Sequence, residues 1–269
     1  MPDDSNAAPV QQPLFLIPTE VRWCQPRNLG SADAGQICQG MDGCAYVIKD
    51  ATTGASTPLT PHCEWFCTRL GELVGIASPT CKVIRLPDGT MVFGSRWEGG
   101  VVAATPATPA GNWWDRVAAG TIKLDDLAGP LSRIYAFDHF IYNEDRHTRN
   151  FIVRDQLDGH VIMAMDYSRA WIRHGMPLPA LPMKNSIVST QQQLAVQWGR
   201  RYIDQTEVKS LVDAVKNVTA RQAEQIINDH PKEWLPDDMR NAILSWWGSP
   251  LMMSRLDGII NGVADGTYL

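Results

Sequence analysis

Residues 141–153 read Ile141-Tyr142-Asn143-Glu144-Asp145-Arg146-His147-Thr148-Arg149-Asn150-Phe151-Ile152-Val153. Apolar residues from Leu131 to Tyr142 recur at helical spacing, and the polar run that follows ends that helix. A short apolar strand comes next, and a second, Val161-Ile162-Met163-Ala164-Met165, delivers Asp166. The intervening residues Asp155 to His160 have turn chemistry, so the two strands are expected to form a hairpin. Asp145, Asn150 and Asp166 thereby gather at one end of it. That set suits phosphoryl transfer, which needs one carboxylate to orient or deprotonate an attacking hydroxyl. It also needs hard oxygen ligands for Mg²⁺, which an Asp and an Asn supply.

Upstream, Ala45-Tyr46-Val47-Ile48-Lys49 and Cys81 to Leu86 are β-branched runs, and the second joins Thr90 to Phe93 through the turn signal Pro87-Asp88-Gly89. Between them Pro61 to Gly75 carries a helical stripe of Trp65, Phe66, Leu70, Leu73 and Val74. A Lys projecting from a mostly buried strand is costly unless paired, and Glu64 on the following helix is the available partner for Lys49. Gly30, Gly35, Gly40 and Gly43 precede Lys49 without a Gly-x-Gly-x-x-Gly pattern. Gly40 and Gly43 read either as part of a loop over nucleotide phosphates or as the tight turn of a hairpin. Residues 1–12 read as a disordered arm, and 99–112, poor in charge and rich in Ala, Thr, Pro and Gly, as a loop or linker. The rest is helical in texture, with capping-box forms at Ser189-x-x-Gln192 and Thr219-x-x-Gln222, Pro236 in a first turn and Gly248 as a stop. The organisation expected is α+β: 13–98 a small β-rich N-lobe with one helix, 99–269 a larger α-helical C-lobe.

Composition narrows the function classes. The 269 residues carry 24 Lys+Arg against 29 Asp+Glu, a net charge of −5, so no electrostatic footprint for nucleic acid or an anionic membrane is expected. No apolar run approaches the ~20 residues of a membrane span. The first ten residues hold two Asp and no Lys or Arg, and a cytoplasmic location is the expectation. All six cysteines lie between Cys24 and Cys81 with no Cys-x-x-Cys, and are expected to be buried and reduced rather than disulfide-bonded or metal-bound.

Asn143 to Asn150 followed by Met165-Asp166-Tyr167-Ser168 resembles the catalytic loop and metal-binding Asp of the HipA-like kinases, within the protein-kinase-like superfamily, over about residues 30–172 in motif order. The resemblance implies a two-lobed protein-kinase-like fold that uses ATP and Mg²⁺. It makes Asp145 the catalytic Asp, Asn150 and Asp166 the Mg²⁺ ligands, Lys49 the phosphate-binding Lys and Glu64 its ion-pair partner. Gly40 and Gly43 would then approach the nucleotide, with Phe93 and Trp97 near the adenine at the joint between lobes. It further implies a Ser or Thr of a protein as acceptor, a small antitoxin-like partner, and self-phosphorylation, for which Ser31 is the candidate by position. Arg146 and His147 are read as bracing the loop. Tyr167 and Ser168 stand where common protein kinases have Phe and Gly. The Asp-Arg-His-x-x-Asn form also occurs in phosphoinositide lipid kinases and actin-fragmin-type kinases, so a lipid or small-molecule kinase is the alternative within the enzymes. A nucleotide-binding pseudokinase is the alternative outside them.

Overall fold

The computed structural model describes residues 17–26, 36–51, 57–97, 113–157, 159–181 and 203–268. The expected arm at 1–12, the linker at 99–112, Gly30, Ser31, Gly35, Glu98 and the Ser189 capping box lie outside these.

The N-terminal part is a closed five-stranded barrel in the order β1-β2-β3-β5-β4, from β1 (Thr19–Pro26), β2 (Gln36–Gly40), β3 (Ala45–Lys49), β4 (Cys81–Arg85) and β5 (Met91–Arg96). Neighbours run antiparallel except β1 and β4, whose parallel pairing of Thr19 with Ile84 and Glu20 with Arg85 closes the barrel. Strand alternation sends Cys38, Tyr46, Ile48, Ile84 and Val92 into the interior. Ala45, Val47 and Lys49 are left on the opposite face of β3. Gly94 keeps the barrel closed, because a Cβ there would collide with the side chain of Ile84.

Helix α1 (Thr60–Leu73) connects β3 to β4 and, with Cys81, Val83 and Phe93, joins the main core of the helical part. It departs from the one-stripe reading. Every residue from Thr60 to Thr68 is buried, and Leu73, expected inside, is half exposed.

The C-terminal part is mostly helical: α2 (Trp113–Ala118), α3 (Ala128–Phe140), α4 (Gln205–Asn217), α5 (Ala220–Asn228), α6 (Asp237–Trp246) and α7 (Pro250–Ala264). The hairpin of β6 (Phe151–Gln156) and β7 (Gly159–Ala164) sits between α3 and α4 in sequence. Its strands run further toward the turn than expected, with Gln156 still paired to Gly159. The Thr219–Gln222 capping box forms, Pro236 stands one residue ahead of α6 as its cap, and Gly248 at φ +74° follows the helix end. No helix among the described residues is long and apolar enough to cross a membrane.

The cysteine expectation fails at one pair. Cys24 and Cys38 face each other across β1 and β2 and form a disulfide. Antiparallel pairing brought together two residues that sequence separation gave no reason to join. Cys63, Cys67 and Cys81 are free and buried as expected, and Cys44 is free and partly buried.

Candidate active site

The site forms where β3, α1 and the end of β7 converge. Lys49 closes β3, and its Nζ donates to Glu64 Oε1 at 2.5 Å and to Asp166 Oδ1 at 2.6 Å. A single buried ammonium thus joins residues 15 and 117 positions away in the chain. Burial alone would lower the Lys49 pKa, but the two carboxylates outweigh it and hold it raised. For Glu64 the order reverses: burial pushes its carboxyl up to about 7 against the pull of Lys49. Burial also works to raise Asp166, yet the Lys49 ammonium and the hydrogen bonds from Lys49 and Ser168 hold it well below the usual carboxylate range.

Asp166 sits at φ +64°, in the left-handed region, and two more non-glycine residues of the same neighbourhood, Tyr142 (+54°) and Trp171 (+61°), do likewise. Such conformations persist only where surrounding contacts over-determine them, and they concentrate at functional sites. Here the contacts are explicit. Trp171 N–H donates to Ile141 O at 2.7 Å and Glu144 N–H to Arg169 O, knitting the segment after Asp166 onto the loop after α3.

That loop is held from beneath by Arg146 and Asp138. Both side chains are almost fully enclosed. The guanidinium donates to both Asp138 oxygens and to the Asn150 and Met165 carbonyls, and lies against the rings of Phe151 and Tyr167. Asn143 Nδ2 donates to Asp138 as well, and Asn143 Oδ1 accepts from the Asp145 N–H. From α7, Arg255 donates to the terminal carbonyls of α3 at His139 and Phe140, setting a cation at a helix end where the dipole favours one. His147 accepts from the Arg149 N–H and so caps the short helical turn Thr148–Asn150. Asp145 is set between these supports and Arg169, whose Nε lies 3.5 Å from its carboxylate.

The donor set fits a hard divalent cation. Asn150 uses its amide N–H on the Asp145 carbonyl at 2.6 Å, so Oδ1 is the atom of its side chain that could serve a cation. Asp166 holds Oδ1 on Lys49 and Ser168, leaving Oδ2. Among the described residues no cluster of three or more His, Cys, Asp or Glu side chains could cage a metal. One carboxylate and one amide oxygen, completed by waters and phosphate oxygens, is the set Mg²⁺ takes rather than a structural metal.

The other expected residues fall as follows. Gly40 and Gly43 lie in the β2–β3 turn: Gly40 N–H donates to Cys44 O, Gly43 N–H to Gly40 O, and Asp42 accepts from the Cys44 N–H. The register pairs Gln39 with Ala45 and Gln36 with Ile48, so this turn is at the far end of the hairpin from Lys49. Gly43 has φ +83°, and a Cβ on Gly40 would strike Asp42 and Thr19. The turn accounts for both glycines by itself, as the hairpin reading of them expects. Phe93 is opposite Lys49 across β3 and β5 and is buried in the core. Trp97, just past β5, is partly exposed, its N–H on Ala45 O.

Reading by type and spacing overlooked Asp138, Ser168 and Arg255. Asp138 left one signal: an acid inside the apolar stripe of α3, a position that requires a partner.

The sequence model of the family described as HipA-like kinase matches residues 27–245. Among solved structures the chain is similar to a Helicobacter pylori proinflammatory kinase CtkA, with 12% identity and a TM-score of 0.53, over 94% of this chain and 98% of that one. It is also similar to HipA of Shewanella oneidensis MR-1, solved with HipB and operator DNA, at 11% identity and a TM-score of 0.47 over 82% of this chain and 60% of that one. At such identity the first likeness speaks to the fold alone. No curated protein sequence matches.

Proposed function

This chain belongs to the HipA-like kinase family, and from that premise we propose that it is an ATP- and Mg²⁺-dependent kinase that phosphorylates a Ser or Thr hydroxyl of a protein. The observation that carries the reading is Lys49 bridging Glu64 and Asp166, in which Lys49 would be the phosphate-binding cation and Asp166 the metal carboxylate. In this reading residues 13–98 are the nucleotide-binding lobe and 99–269 the catalytic lobe.

Lys49, held by Glu64, would orient the α- and β-phosphates. Asp145 would take the acceptor hydroxyl on one carboxylate oxygen, align it with the γ-phosphorus and accept its proton as the new P–O bond forms and the bond from the γ-phosphorus to the β,γ-bridging oxygen breaks, releasing ADP. Asn150 Oδ1 and Asp166 Oδ2 would hold Mg²⁺, which when bound neutralises charge between the β- and γ-oxygens. Arg146 and Arg255 would keep the loop that carries Asp145 and Asn150 in register. The base would sit past the end of β5 beside Trp97. A small antitoxin-like protein as partner and the modification of Ser31 come from family membership alone.

Thermal unfolding with and without ATP and Mg²⁺ tests the binding half. The wild-type chain should be stabilised, by about 2.7 kcal/mol at a hundredfold excess over the dissociation constant, and Asp166→Ala should lose the Mg²⁺-dependent part. Stabilisation without phosphate transfer would make the chain a nucleotide-binding module, and equal stabilisation of Asp166→Ala would remove Asp166 from the metal site.

A further inference from the structure

The barrel does not hold α1 alone. Glu64 faces Lys49, while His62, two residues earlier and so about 200° round the helix, faces a segment far along the chain. His62 Nδ1 lies 2.8 Å from His230 Nε2, with both rings buried. The proton on that bond can be assigned. His230 Nδ1 is 2.8 Å from the Pro231 carbonyl and must donate to it, so Nε2 is the acceptor and His62 Nδ1 the donor. One turn on, Trp65 Nε1 donates to Ile226 O at 3.0 Å. Trp234 packs edge-on against Trp65, stacks on His230, and donates its Nε1 to Met91 O on β5. Phe66 stacks on Trp171 at 4.7 Å on a further side.

We propose that residues 226–234 form a built-in brace that fixes the rotation of α1, and that Trp65 and His230 are positioning residues for Glu64. This rests on the kinase reading, in which the Lys49–Glu64 pair binds phosphates. Three directional N–H bonds tie one segment to both α1 and β5. A helix buried on every side through its first turns has no empty flank to swing into. The Lys49–Glu64 pair is therefore assembled before any nucleotide arrives, and its formation is removed from the steps a ligand must drive.

Steady-state phosphate transfer by the full chain tests the brace, with wild type, Glu64→Gln, Trp65→Phe, His230→Leu and His230→Gln compared. Trp65→Phe keeps an aromatic ring but loses the indole donor together with some buried volume. His230→Gln keeps an acceptor near the Nε2 position, and His230→Leu does not. Trp65→Phe and His230→Leu should each raise KM for ATP and lower kcat, together about tenfold in kcat/KM, as expected for one buried hydrogen bond, while KM for the protein acceptor stays put. His230→Gln should restore most of the loss. In the Glu64→Gln background neither variant should cost anything further. Wild-type kinetics in Trp65→Phe and His230→Leu beside an impaired Glu64→Gln would overturn the brace and leave the kinase reading standing. A chain that transfers no phosphate would fell the kinase reading, and the brace would then be decided by hydrogen exchange. Amides of α1 should exchange faster in His230→Leu and Trp65→Phe than in His230→Gln, and equal exchange in all three would overturn it.

Discussion

Substituting Glu64→Gln in a Lys49→Met background should stabilise the protein, and by an amount that depends on pH. With Lys49 gone, Glu64 is a buried carboxyl without its cation and close to Asp166. Burial already pushes it up to about 7 with the cation present, so without Lys49 it stays protonated throughout the neutral range. The unfolded chain ionises it near the ordinary value of 4.5. A folded-state pKa raised above the unfolded one contributes stability that is complete below pH 4.5 and is lost as pH rises. At 1.36 kcal/mol per unit, the loss is at most about 4 kcal/mol at pH 7.5 and about 1.4 kcal/mol at pH 5.5. Gln carries no such penalty, so the double variant should exceed Lys49→Met by those amounts, in urea unfolding followed by Trp fluorescence at each pH. At roughly 2–4 °C per kcal/mol for a chain of this size, the melting temperatures should differ by about 10 °C at pH 7.5 and by only a few at pH 5.5. An equal gain at both pH values, or none at either, would refute Glu64 as a buried carboxyl that depends on Lys49.

The histidines give a second pH effect. Burial holds His230 and His139 down to about 4 and His62 well below its usual value, so their stability contribution is present above the unfolded value of 6.5 and lost as pH falls below it. Urea unfolding should weaken by up to about 4 kcal/mol per pH unit if all three respond together, and a flat profile between pH 6.5 and 4.5 would contradict their burial as neutral rings. Arg146→Met takes the cation away from the enclosed Asp138 carboxylate, and should cost about 3–5 kcal/mol in the same assay. A loss below about 1 kcal/mol would mean that the pair is solvated in solution. The Cys24–Cys38 bond closes a short loop, so reduction should lower stability by about 3 kcal/mol. The unreduced protein should weigh two hydrogens less than the reduced one, and equal masses would disprove the bond.

Much of the fold could be read from local pattern. β3, β4, the Pro87–Gly89 turn, α3 and the β6–β7 hairpin announce themselves by alternation, periodicity and turn residues, all within a few residues of chain. The order Lys49, Glu64, Asp145, Asn150, Asp166 was legible because chemistry restricts residue types where packing does not. What escaped depends on distant partners. The parallel β1–β4 closure and the Cys24–Cys38 pairing follow from the barrel, which no single strand encodes. Full burial of α1 was hidden because its second flank is covered by residues 226–234, so His62 and Thr68 look like polar surface in the helical stripe. Gly40 and Gly43 carried two readings because a glycine before a phosphate-binding Lys and a glycine in a tight turn look alike in sequence.

Asp145 is proposed to serve phosphate transfer in a site organised by Lys49, Glu64 and Asp166. The most direct test is single-turnover transfer of the γ-phosphate of ATP in the presence of Mg²⁺ by wild type and Asp145→Asn, at matched folded fractions. Wild type should give labelled protein Ser or Thr, and Asp145→Asn a rate at least about 10²-fold lower, the scale expected of a positioned acid–base group. Transfer at the wild-type rate by Asp145→Asn would contradict that role.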